Sequence, residues 1–111
     1  MTQPCTVLDK LYDAIASRRS ADPATSYTAQ LMSEGTAKCA QKIGEEAVEA
    51  AIAAIQNKHE DLVCESADLI YHLLVLLAVQ DVKPSEVYAE LARRQGCSGL
   101  EEKARRKNAP A

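Results

Sequence analysis

From Leu69 to Val79 the sequence runs LIYHLLVLLAV, which is apolar nearly all round a helix. A helix without a wet side has to be covered from several directions, by other helices or by a second subunit. The uninterrupted apolar stretch, Leu73 to Val79, falls far short of the roughly 20 residues that span a bilayer, so no membrane segment is expected. The 111-residue chain must supply the cover without a single Phe or Trp. Ala, Leu, Ile and Val therefore build the core, and small aliphatics suit closely packed helices. A chain this short buries a limited share of its surface, which favours completion by a second copy.

The remaining segments read as helices too. Thr6 precedes VLDKLYDAIASRR with Asp9 three residues on, an acidic variant of the capping box, and Val7, Leu8, Leu11 and Ile15 form its apolar stripe. ADPATS, residues 21–26, is a connector, since Pro23 disfavours helical geometry in the residue before it. A short helix is predicted from about Thr28 to Glu34, ending at Gly35. Thr36 opens a longer one to about Gln56, and Asn57, with Glu60 three residues later, is predicted to cap a helix running to about Gln80. Pro84 stands in the first turn of SEVYAELARRQ, and Gly96 is placed to stop it. No strand signal and no internal repeat occurs. The expectation is one all-α domain over residues 1–96, a compact bundle of four to five helices, followed by a charged tail over 97–111 that is helical only in part.

Charge and cysteine usage narrow the function classes. A net charge of −3, with both signs spread along the chain, is a poor footprint for nucleic acid or an anionic membrane surface. The four cysteines are scattered without a C-x-x-C spacing, and MTQPCTVLDK lacks a signal-type apolar stretch. Reduced thiols in a cytoplasmic protein are expected, rather than disulfides or a zinc site.

Against that background the acids are crowded. With Glu45 at 0° on its helix, Glu49 falls near about 40° and Glu46 near about 100°, while Lys38 and Lys42 share the stripe at roughly 20° and 60°. Val48, Ala51 and Ile55 lie on another side, which reads as the main apolar face. On the next helix Asp61, Glu65, Asp68 and His72 fall within about 60° of one another, and the same stripe continues into Leu76 and Val79. Carboxylates gathered at the edge of a dry surface raise one another's pKa, and a divalent cation removes the conflict. Oxygen-only ligands favour Mg²⁺, with Mn²⁺ as a substitute, and Mg²⁺ commonly completes its shell with substrate phosphates. Spacing alone leaves this reading and a solvated acidic face both open. A di-iron bundle is not expected, because the residues three before His59 and His72 are Gln56 and Leu69 rather than glutamates.

Taken together, K-x-G-E-E-A-x-E at Lys42–Glu49, E-x-A-D-L-x-Y-H-L-L-V-L-L at Glu65–Leu77, S-Y-T-A-Q-L at 26–31 and A-E-L-A-R-R at 89–94 resemble phosphoribosyl-ATP pyrophosphohydrolase of histidine biosynthesis. That family belongs to the all-α, MazG-like nucleotide pyrophosphohydrolases, and the resemblance covers roughly residues 6–95. It implies Mg²⁺-dependent hydrolysis of phosphoribosyl-ATP to phosphoribosyl-AMP and pyrophosphate by a homodimer or higher homo-oligomer, and the apolar Leu73–Val79 region agrees with such an interface. Its metal pattern transfers to Glu46, Glu49, Glu65 and Asp68, and Glu45 or Glu49 would orient or deprotonate the attacking water. Lys38, Lys42, Arg93 and Arg94 are candidate phosphate contacts, and their plainer roles are pairing with glutamates or lying at a helix end. Tyr27 and Thr28 are candidate substrate contacts, although a helix cap explains Thr28 equally well. His72 is expected to brace Asp68, and Tyr71 to pack. Gly44, which costs a helix about 1 kcal/mol relative to Ala, suggests a close approach. The competing readings are a house-cleaning nucleotide pyrophosphohydrolase with the same metal site, and a non-catalytic helical dimerisation module with an acidic face.

Overall fold

The computed structural model describes residues 4–95 and 98–107, with side chains from residue 7 onward. Its elements are α1 (Pro4–Ser17), a 3₁₀ turn (Arg18–Ser20), α2 (Tyr27–Glu34), α3 (Thr36–Ile55), α4 (His59–Val79), α5 (Pro84–Arg94) and α6 (Gly99–Lys107). The fold is all-α. The helix beyond the expected four to five is α6, in the segment read as a charged tail that is helical only in part. The expected stop at Gly96 and the thiol of Cys97 lie outside the described residues.

Local chemistry explains where the boundaries moved. α1 starts at Pro4, a residue suited to the first helical turn because its missing N–H would be unpaired there, so Thr6 is interior rather than a cap. Ser26 caps α2, its Oγ accepting from the Ala29 N–H at 3.1 Å, which leaves the Thr28 hydroxyl free for other work. Asn57 does not cap α4. It takes the left-handed conformation, φ 57°, and closes α3: its N–H donates to Ala54 O at 3.1 Å and that of Lys58 to Ala53 O at 3.0 Å. Asp81, φ 56°, repeats the arrangement behind α4, with Val82 N–H donating to Leu77 O at 2.8 Å.

The three-residue turn folds α4 back along α3, the most extensive helix pairing in the molecule. The C-terminal half of α4 is the centre of the core: Leu74, Val75 and Ala78 are buried with Ile15 of α1, Leu31 of α2 and Cys39 of α3. Leu76, Leu77 and Val79 pack beside them, so most of the segment expected to form a subunit interface is already covered within one chain.

The larger surprise is the orientation of α3. Its inward face is made by Cys39, Glu46 and Ala53 rather than by the expected apolar stripe, while Glu45 and Glu49 stay exposed. Glu46 is buried, whereas Val48, Ile52 and Ile55 are 58, 47 and 80 % exposed. Val63, Ile70 and Leu73 of α4 are exposed as well. Spacing of i, i+4, i+7 along α3 makes this a continuous apolar stripe that the described residues leave uncovered. A radius of gyration of 16.2 Å, against about 13 Å for a compact domain of this size, agrees with an unfinished bundle. By length and composition α4 as a whole is able to cross a bilayer, with a mean hydropathy of 1.9 over 18 residues. It nonetheless carries Glu65 and Asp68, each costing about 2.5 kcal/mol or more at the centre of a spanning helix.

Candidate metal centre

Glu46 and Glu49 project from successive turns of α3 and meet Glu65 of α4, which runs back alongside. One carboxylate oxygen from each lies within 4.8 Å of the others. Glu46 is buried, Glu65 half-buried and Glu49 exposed, so the trio has a dry side and a wet side. Hydrogen bonding to Glu49 and then Glu46, with burial adding to it, pushes Glu65 up to about 7 from the usual 4.5. Three carboxyl groups brought this close together resist full ionisation near neutrality. Glu46 Oε2 and Glu65 Oε2 are buried without a hydrogen-bond partner. Orphaned anionic oxygens are costly, and hard oxygen donors at this separation are what a divalent cation of the Mg²⁺ type requires. The residues present fit such an ion.

Asp68, one turn beyond Glu65, is exposed and lies outside the trio, while Glu45 points away and accepts from Gln41 Nε2 at 2.8 Å. A groove of about 150 Å³ opens beside the cluster, lined by Glu49, Ile52, Gln56, Lys58, Asp61 and Glu65.

His72 supports the dry side. It is 5 % exposed, and its Nδ1–H donates to the backbone carbonyl of Asp68 at 2.9 Å, with Glu46 Oε1 3.7 Å away. A carbonyl oxygen only accepts, so Nδ1 carries a hydrogen, and in the neutral ring Nε2 accepts from the Tyr27 hydroxyl at 3.1 Å. His72 thus reaches Asp68, the residue it is expected to brace, through its backbone carbonyl, and lies beside the side chain of Glu46 as well. Tyr27 and Tyr71 stack at 6.3 Å, and the Tyr71 hydroxyl bonds Thr28 Oγ1, so Tyr71 does more than pack. These two bonds tie α2 to the ligand-bearing helix, and they were missed because Tyr27 and His72 stand 45 residues apart in sequence.

Lys38 and Lys42 are half-buried and make no ion pair among the described residues, so the plainer of their two expected roles, pairing with glutamates, is not seen. Lys42 lies close enough to Tyr27 to oppose the upward push of burial on its hydroxyl. Arg93 and Arg94 both bind Glu90 on α5, and neither lines the groove beside the trio. Gly44 has open space where a side chain would be, so no close approach within the chain explains it.

Comparison with known proteins bears on this geometry. Residues 8–95 match the family model described as phosphoribosyl-ATP pyrophosphohydrolase. A protein of Parvibaculum lavamentivorans named phosphoribosyl-ATP pyrophosphatase is 53 % identical over 106 residues, 96 % of this chain and 97 % of its own. One of Paracoccus denitrificans with the same name is 55 % identical over 102 residues, covering 92 and 94 % of the two chains. The matched span contains all four expected metal ligands.

Proposed function

The chain belongs to the phosphoribosyl-ATP pyrophosphohydrolase family, and on that premise we propose that it hydrolyses phosphoribosyl-ATP to phosphoribosyl-AMP and pyrophosphate in histidine biosynthesis, with Mg²⁺ held by Glu46, Glu49, Glu65 and Asp68. The observation that carries the metal is the convergence of carboxylate oxygens from Glu46, Glu49 and Glu65 within 4.8 Å of one another, two of these residues having a buried oxygen without a hydrogen-bond partner. When bound, Mg²⁺, or Mn²⁺ in its place, supplies positive charge to the polyphosphate and makes water easier to deprotonate.

The protein's own groups do the rest. Water attacks a phosphorus of the α–β anhydride, the bridging P–O bond breaks, and pyrophosphate leaves with growing negative charge. Glu49, on the wet side of the trio, orients that water and takes its proton. Glu45, engaged by Gln41, is the weaker candidate for this role. Lys38 and Lys42, with their charges uncommitted, hold phosphates. Tyr27 offers a half-exposed ring to the substrate, Thr28 lies beside it, and His72 braces Glu46, which would hold the cation.

A homodimer belongs to this reading. Its support is the exposed stripe of Val48, Ile52 and Ile55 with Val63, Ile70 and Leu73 of α4, rather than the Leu73–Val79 region as a whole. The enzyme works in the cytoplasm with its nucleotide substrate and without a nucleic-acid or membrane partner, as its net negative charge and the acids within α4 support.

The test is pyrophosphate release from phosphoribosyl-ATP with and without Mg²⁺, for wild type and Glu49→Gln, with dUTP, dCTP and ATP as competing substrates. Metal-dependent turnover selective for phosphoribosyl-ATP is expected, together with its collapse in the variant while helicity persists. Equal use of the other nucleotides would transfer the site to the house-cleaning reading, and no turnover with any metal would leave only the helical dimerisation module.

A further inference from the structure

The molecule carries a second concentration of charge, opposite in sign to the first. Residues 84–107 hold six basic side chains against four acidic ones, in a chain of net charge −3. α5 and α6 gather four of the guanidinium groups round two carboxylates. Glu90 accepts from Arg93 through Nε and Nη2, both at 2.9 Å, and from Arg94 Nε at 2.9 Å. Glu102 is only 5 % exposed, and it accepts from Arg93 Nη2 at 2.6 Å and Arg105 Nη2 at 2.9 Å, with Arg106 Nε 3.9 Å away.

Apolar burial does not hold α6 in this position, since Leu100 is 82 % exposed. Charge does. Two carboxylates facing four guanidinium groups leave an excess of two positive charges, so the acids fix the forks without neutralising them. Arg93 uses three N–H groups in these bonds, Arg105 two and Arg94 one, which leaves every guanidinium with donors to spare. A rigid, donor-rich cluster of this kind matches the three oxygens and the roughly −1.5 to −2 charge of a phosphate monoester near neutrality.

We propose that the Arg93, Arg94, Arg105 and Arg106 cluster is a phosphate-monoester site, and that it receives the terminal phosphate of the substrate's phosphoribosyl arm. The second half rests on the function proposed above: the triphosphate goes to the carboxylates and their cation, and the phosphate at the far end of the substrate then needs a cationic partner of its own. Arg93 and Arg94 keep the phosphate-binding role expected from sequence, but for a different phosphate and with two arginines from the segment read as a tail.

Ribose 5-phosphate is the probe, titrated into the full-length protein while the arginine Nε–H resonances are followed by NMR. Shifts confined to these four arginines are expected, with their loss in Arg105→Ala/Arg106→Ala. The same variant should raise KM for phosphoribosyl-ATP by about tenfold or more, the worth of a charge-assisted contact, with a much smaller change in kcat. Arg105→Lys/Arg106→Lys, which keeps the charge and loses the forks, should fall between wild type and the alanine pair, and it controls for loss of α6. Absence of shifts overturns the anion site. Shifts without a KM effect overturn its assignment to the substrate arm. If wild type fails to turn over phosphoribosyl-ATP, the functional reading falls, while the ribose 5-phosphate titration still decides the anion site.

Discussion

Glutamates at two places in this molecule are driven in opposite directions. Between α3 and α4, Glu65 faces two other carboxyl groups and is pushed up to about 7, whereas between α5 and α6 the arginines hold Glu90 and Glu102 down at about 2. The side chain is the same, and the difference lies wholly in what the fold sets beside it. One cluster has three acids and no cation of its own. The other has two acids and four guanidinium groups. Each is unbalanced, and each imbalance names the sign of what is missing: a divalent cation in the first, an anion in the second. An ion-pair network that only held the fold together would be expected to come closer to neutrality.

The sharpest way to break this comparison is Glu65→Gln. It should abolish Mn²⁺ binding measured by calorimetry and lower turnover by more than the roughly 10- to 100-fold that losing even a supporting partner costs a metal site. Because the amide also removes the repulsion, the metal-free variant should be no less stable than wild type above pH 7. Retained turnover would mean that the trio is not the metal site.

The next effect is on stability against pH, with opposite signs at the two clusters. Glu65 has its pKa raised by folding, so its contribution is complete below the usual 4.5 and is lost as pH rises through about 7. Glu90 and Glu102 have theirs lowered, so their contribution is complete above 4.5 and is lost as pH falls through about 2. Thermal melts of metal-free protein should therefore show one loss toward alkaline pH, cancelled by millimolar Mg²⁺, and one toward acid that Mg²⁺ leaves untouched. An alkaline loss that persists in saturating Mg²⁺ would contradict the assignment of Glu65.

The smallest expected change comes from Glu102→Gln. It should free α6 from α5 while the remaining helices stay folded, so that the helical signal falls by no more than the nine residues of α6 and hydrogen exchange quickens there alone. Raising the salt concentration in wild type should act in the same direction. Unchanged exchange in α6 would show that something other than this network holds it.

Much of the architecture was legible along the chain. The periods of the apolar residues placed five helices within a few residues of their observed ends, and the family resemblance put Glu46, Glu49, Glu65 and Asp68 forward as ligands, of which the first three come together. The errors share a cause. Asn57 was assigned to the helix that follows it, but its left-handed conformation closes the helix before it. Val48 and Ile55, on the expected apolar face of α3, are exposed, whereas Glu46 turns inward with Cys39 and Ala53. The His72–Tyr27 bond and the embrace of Glu102 by Arg93 and Arg105 join separate helices, and no helical period reports on them.

The sequence by itself determined that the chain is helical and which acids share a stripe, because both follow from a repeat of about 3.6 residues within one segment. Only the tertiary structure decided which stripe faces inward, which carboxyl group keeps a proton and which arginines are already engaged. Those depend on what the neighbouring helix places within a few ångströms, a distance that no period along a single segment contains.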